Sequence, residues 1–139
     1  MPVKDALGGK TEIEVPMSRK SVAELLQVKG ERRLAVLNAP APVDSRIGGH
    51  HARAPAKIAD VVLLFVRSQA ELDKNLSPTL RSLRSGIIFW LAYPKLTSPL
   101  AGDLSRDIIA SLAPTFSLTT IAQIAIDSDW SALRLKQTG

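Results

Sequence analysis

Cysteine is absent from the 139-residue sequence. That excludes a disulfide framework, a thiol nucleophile and any cysteine-based zinc site, and it accords with a reducing, cytoplasmic setting. Aromatic residues are scarce at 4%, too few to build a platform on which nucleic-acid bases stack. Long apolar runs are missing as well. Val61–Val66 and Ile87–Tyr93 are of strand length, far short of the ~20 residues that cross a bilayer. Met1 to Pro16 mixes Lys, Asp, Gly and Glu without the apolar core of a secretory signal. A soluble protein with no membrane attachment is expected.

What is present fits one globular domain. Hydrophobic residues make up 45% and charged residues 22%, close to the usage of folded proteins, and the chain is long enough to bury a proper core. Eighteen Lys and Arg against 13 Asp and Glu give a formal net charge of +5. The basic residues are dispersed, from Arg32–Arg33, Arg46, Arg53 and Lys57 to Arg81, Arg84, Arg106, Arg134 and Lys136. No run reads as a basic arm, and a solvated positive surface explains them more simply than a nucleic-acid site.

Along the chain, apolar runs alternate with amphipathic stretches. Ser21-Val-Ala-Glu24 is a capping box that opens a short helix, with Gly30 suited to its end. Leu34–Leu37 reads as a buried strand. Ala39 to Lys57, with Pro40, Pro42, Pro55, Gly48–Gly49 and both histidines, reads as a long loop with one brief element near Val43. Asp60–Val66 is a second buried strand. Ser68-Gln-Ala-Glu71 then caps a helix carrying Leu72 and Leu76, and Ser77–Pro78 reads as a restart with Leu80 and Leu83 inward. Gly86 precedes a third strand, Ile87–Tyr93. Asp103 is placed to cap a helix bearing Leu104, Ile108 and Leu112. Leu118–Ile126, the turn Asp127–Trp130 and the alternation of Leu133 and Leu135 with Arg134 and Lys136 predict a closing antiparallel hairpin.

These elements predict an α/β fold: a small, Rossmann-like, mostly parallel sheet of about five strands, helices on both faces and a C-terminal antiparallel hairpin. Residues 1–17 read as a flexible or extended lead-in, residues 18–139 as a single domain, and residues 39–57 as its long loop.

Two segments carry a family resemblance. Ala59-Asp60-Val61-Val62 and Ser85-Gly86-Ile87-Ile88-Phe89-Trp90 resemble the fourth and fifth strands of class I S-adenosylmethionine-dependent methyltransferases, with their leading Asp and Gly. More closely, Trp90 to Lys95 and Asp129-Trp130-Ser131-Ala132-Leu133-Arg134-Leu135 resemble an uncharacterised bacterial family of unknown function, over residues 20–137. The resemblance implies a methyltransferase-like fold. The methyltransferases place a glycine-rich loop after the first strand, where backbone N–H groups approach the cofactor. Here that place holds Asn38-Ala39-Pro40-Ala41-Pro42, whose prolines remove donors. The chain also has room for one loop where those enzymes place two further strands, including the one that supplies the acid for the cofactor ribose.

In an open parallel sheet, ligands bind beyond the carboxyl ends of the strands, at the point where strand order reverses. That crevice is expected between the first two strands, and the candidate ligand-binding residues are Asn38, Ser68, Tyr93 and Lys95, with Arg67 beside them. The plainer accounts are a turn at Asn38, a helix cap at Ser68, and an ion pair of Lys95 with Asp103 or Asp127. Asp103, Arg106 and Asp107 read as a cap and local ion pair, His50 and His51 as solvated residues with no metal site, and Trp90 and Trp130 as core anchors. The functional expectation is a non-catalytic domain that binds a protein partner or small anionic ligand without a cofactor, with homodimerisation open. An S-adenosylmethionine-dependent enzyme completed by oligomerisation is the alternative, and a nucleic-acid accessory protein the third reading.

Overall fold

The computed structural model describes residues 20–138, so the expected lead-in over residues 1–17 lies outside them. Five strands form one sheet: β1 (Leu34–Leu37), β2 (Val61–Phe65), β3 (Ile88–Pro94), β4 (Leu118–Ala125) and β5 (Trp130–Gln137). Four α-helices accompany them among the described residues: α1 (Val22–Leu25), α2 (Ala41–Ile47), α3 (Gln69–Ser82) and α4 (Arg106–Leu112). The strand order is β1-β2-β3-β5-β4.

The sheet is mixed, and the expected mostly parallel arrangement is corrected. β1–β2 and β2–β3 pair in parallel, whereas β3–β5 and β5–β4 pair antiparallel. The cause is where the hairpin closes. β5 inserts between β3 and β4 and makes both of its ladders antiparallel, so the hairpin forms half of the strand pairings. β2, apolar throughout and buried at all five positions, lies inside the sheet with helices on both sides, as a continuous apolar strand requires.

Alternate side chains of the strands feed two cores. One face carries Val62, Leu64, Phe89, Leu91 and Leu133 against Leu72 and Leu76 of α3 and Ile109 of α4. The other carries Leu63, Phe65, Trp90 and Trp130 against Leu26 after α1 and Val43 and Ile47 of α2. Both tryptophans are core anchors: Trp90 Nε1 donates to the Leu26 carbonyl at 3.0 Å, and Trp130 packs edge-on to Phe65 at 5.0 Å between centroids. Each such large side chain, fully buried, contributes roughly 1.5–3 kcal/mol by removal from water.

Several local readings change. The segment 39–57 is more structured than the expected loop: the brief element near Val43 is α2, and two short 3-10 turns follow it, His50–Ala52 and Ala56–Ile58. Its prolines are helix-starting ones: Pro40 is the N-cap and Pro42 lies in the first turn, where a missing N–H costs nothing. Gly49, at φ +68°, passes so close to α1 that an added Cβ would sit 3.0 Å from Ala23 Cβ. α1 ends at Leu25, with Leu26 as C-cap and Gln27 left-handed at φ +79°, well before Gly30. α3 runs through Ser77 without restarting and holds Pro78 inside it. α4 is capped by Ser105, whose hydroxyl accepts from the Ile108 N–H at 3.2 Å, and not by Asp103. No helix among the described residues is long and apolar enough to cross a membrane.

Candidate functional site

The chain leaves β1 toward the face of α2 and leaves β2 toward the face of α3. The loops of these neighbours therefore part at the carboxyl end of the sheet, where the sequence predicts a crevice. Asn38, Ser68 and Lys95 lie there, at the ends of three adjacent strands. Asn38 is exposed and left-handed at φ +63°. Ser68 Oγ accepts from the Glu71 N–H at 3.1 Å and caps α3. Glu71 does not complete a capping box with Ser68; its carboxylate accepts from the Arg67 N–H at 3.0 Å.

Asp103 closes this end of the sheet. Its Oδ1 accepts from the Gln69 N–H at 2.9 Å, and its carbonyl accepts from Gln69 Nε2 at 2.9 Å. A helix N-terminus attracts an anion through its free donors and dipole, and here the chain supplies that anion itself. Lys95 donates its N–H to the Asp129 carbonyl at 2.8 Å, while its ammonium makes no ion pair among the described residues. Neither expected partner reaches it. Asp103 is held by Gln69, and Asp127 bonds Arg46 at 2.8 Å and the N–H groups of Asp129 and Trp130, each at 2.8 Å.

Tyr93 does not join the other three. It is buried on the α3–α4 face, where its hydroxyl accepts from Gln123 Nε2 at 3.2 Å. Burial pushes the phenol above its usual value, against the pull of the Ser131 hydroxyl and Arg106. His50 lies 3.6 Å from Asp44, which also pairs with Arg53 at 2.8 Å. No group of three or more potential metal ligands occurs among the described residues, and the Asp44–Arg53 pair instead ties α2 to the segment that borders β1.

The opposite, amino end of the parallel strands holds a cleft of about 590 Å³. It opens because the β3–β5 ladder stops at Phe89↔Leu135, while β5 continues to Gln137 against β4 and β3 gives way to the turn at Gly86 (φ +77°). Leu80, Leu83, Ile87, Phe89, Leu118 and Leu135 line it. Leu80, Leu83 and Ile87 are the partly covered margin of the core whose centre includes Leu72 and Leu76. Ile121, at the bulge where β4 shifts register between Thr120 and Ala122, also lines it and is 47% exposed.

Three cations stand on this cleft, Arg84, Arg134 and Lys136, and no carboxylate is among its lining residues. Arg84 is fixed from outside by an ion pair with Asp60 and a hydrogen bond to the Ala59 carbonyl at 3.3 Å. Asp60 accepts from the Arg33 N–H at 2.8 Å; that bond, with the Arg84 guanidinium, holds its carboxyl below the usual carboxylate range. Arg134, half-buried, and Lys136, exposed, have no ion-pair partner among the described residues. The sequence showed their alternation with Leu133 and Leu135. It did not show that the Arg84 turn comes to lie beside them.

Fold and cleft together define a mixed α/β domain with an apolar, cation-rimmed recess at the amino end of its parallel strands. The chain belongs to the family described as "Protein of unknown function (DUF3052)", whose family model matches residues 43–139. The match takes in every residue of the cleft, together with Ser68, Tyr93 and Lys95, while β1 and Asn38 precede it. A search of the curated proteins finds no match.

Proposed function

We propose that this protein is a binding domain, non-catalytic in action, that holds a small anionic ligand in the cleft rimmed by Arg84, Arg134 and Lys136. The observation that carries this reading is the basic lining of the recess: Arg84, Arg134 and Lys136 border about 590 Å³ with no carboxylate among the lining residues, and of the three only Arg84 has an ion-pair partner among the described residues. Recesses of a few hundred cubic ångströms with a few convergent polar groups are the usual form of small-ligand sites. A guanidinium on a strand offers a planar pair of donors to a carboxylate or phosphate, and Lys136 adds a point charge.

Differential scanning fluorimetry over carboxylates and phosphates tests the reading, since binding to the native state raises the melting temperature. Saturable stabilisation that the double substitution R134Q/K136Q abolishes supports it. Stabilisation left intact by those substitutions contradicts it.

A second reading is favoured by one observation. The three parallel strands followed by an inserted antiparallel strand fit the methyltransferase-like fold implied by the strand sequences, with S-adenosylmethionine at the carboxyl end and a second copy completing the site. Against it stand Pro40 capping α2 where the glycine-rich loop belongs and Asp103 at the N-terminus of α3. Saturable stabilisation by S-adenosylmethionine or S-adenosylhomocysteine, lost on substitution at Ser68 or Lys95, is the result this second reading requires.

A further inference from the structure

We infer that the outer edge of β4 is a self-association surface, on which a second copy of this chain pairs antiparallel through its own β4 and continues the sheet across both chains. The inference is independent of what the cleft binds. It starts from the unequal treatment of the two sheet edges. β1 is four residues long, and its start is covered: Arg53 bridges Leu34, and the Ala54 N–H donates to the Leu34 carbonyl at 2.9 Å. β4, the last strand at the other side, is eight residues long and exposed at five of them. No strand lies beyond it among the described residues. An open edge of this kind is a template for another strand, and proteins that avoid pairing there place lysine, other charges or proline on it. β4 carries none of these in Leu118–Ala125.

The backbone groups offered can be assigned. The Ile126 N–H donates to the Trp130 carbonyl at 2.9 Å, and bonded and non-bonded positions alternate along an antiparallel ladder. Gln123 and Ala125 therefore turn their N–H and C=O groups away from β5. The register shift between Thr120 and Ala122 interrupts the strand, so the regular stretch open to pairing is Ala122–Ala125. Ile121, 47% exposed beside it, adds an apolar side chain to the same border. Charge selects the partner. A two-fold pairing sets this stretch against itself, and like charges placed opposite one another destabilise a sheet. In a chain of net charge +5, residues 108–126 hold no charged side chain, so two copies meet here without repulsion in any antiparallel register. A ladder this short belongs with the small, weak interfaces, which makes the dimer reversible and concentration-dependent.

Sedimentation equilibrium of the full chain across the micromolar to millimolar range, with amide hydrogen exchange at the same concentrations, tests this. The expected result is a monomer–dimer equilibrium in which exchange at Gln123 and Ala125 slows as the dimer fills. Ala125→Pro removes an outward donor at an edge position that tolerates proline and should weaken the dimer about tenfold, since each copy loses a hydrogen bond. Ala125→Lys, at the same exposed position, supplies a second variant that leaves the β4–β5 ladder untouched and should also weaken the dimer. A monomer at every concentration, with fast exchange at Gln123 and Ala125, overturns the proposal. So does slow exchange there in the monomer, which would mean that the chain covers its own edge. A dimer that both variants leave as tight as the parent, with exchange at these amides independent of concentration, places the interface elsewhere and overturns it too. Association that grows without limit beyond the dimer contradicts the two-fold pairing.

Discussion

The two ends of the parallel strands are built in opposite ways. At the carboxyl end most polar groups are answered from within the chain, the Lys95 ammonium excepted: Ser68 and Asp103 take leading donors of α3, Glu71 takes the Arg67 N–H, Asp127 orders the hairpin turn and Asp129 accepts from the Ser98 hydroxyl. At the amino end a ladder stops early, the apolar face of α3 is left partly bare, and two cations have no partner among the described residues. Ligands favour the carboxyl end of such sheets because diverging loops leave a crevice with free helix donors. Where those donors are already satisfied, the rule loses its physical basis, and the better recess lies wherever strand pairing fails.

The largest expected effect contrasts the two halves of α3. Leu76→Ala, in the sealed part of the helix, should lower unfolding free energy by about 2–5 kcal/mol. Leu83→Ala, at the open end, should cost less than half as much in the same urea titrations. Equal losses would mean that the amino end is as well packed as the carboxyl end. Next in size, R134Q/K136Q should reduce affinity for an anionic probe at least tenfold, as expected for loss of charge-assisted hydrogen bonds. In urea titrations the exposed K136Q alone should leave the unfolding free energy within about 0.5 kcal/mol of the parent, as for surface positions generally.

Asp103→Ala comes third. It removes the acceptor of the Gln69 N–H and should cost about 1 kcal/mol, the usual loss for a helix-capping side chain, without changing affinity at the cleft. A change in cleft affinity would show that the two ends are coupled. The smallest effect is the acid dependence of Asp60. Its folded value is lowered by the Arg33 N–H and then by Arg84, so its contribution is complete above its unfolded value and is lost as pH falls through the folded one. Asp60→Asn should therefore flatten the acid limb of the stability profile, read from urea midpoints across the acid range.

Much of this architecture was legible in the sequence. Leu34–Leu37, Val61–Phe65 and the strand after Gly86 announce themselves as continuous apolar runs, and the Ser21 capping box forms as its residues predict. What misled were residues whose local meaning depends on distant partners. Pro40 and Pro42 suit a loop or a helix start equally, and only the burial of Val43 and Ile47 against the sheet selects the helix. Asp103 is a plausible cap for the helix that follows it, yet the fold carries its carboxylate to α3, 34 residues earlier in the chain. The mixed sheet required knowing that β5 inserts beside β3, a pairing across some 40 residues that periodicity does not encode.

The candidate site was legible in pieces. Ser68 was foreseen as a cap, and Asn38, Ser68 and Lys95 do share one end of the sheet, whereas Tyr93 turns into the core. Arg84, Arg134 and Lys136 looked like dispersed surface charge because 50 residues separate the first from the second. Strand register carries their segments to the border of one cleft, where Phe89↔Leu135 is the last rung.

The most direct test is a titration of the isotope-labelled protein with acetate and with inorganic phosphate, followed through backbone amide chemical shifts. The account predicts saturable shifts concentrated at Leu83 to Ile87, Ile121 and Arg134 to Gln137, with Asn38, Ser68 and Lys95 unmoved. Shifts centred on Asn38, Ser68 and Lys95, with the amino-end cleft silent, would contradict it.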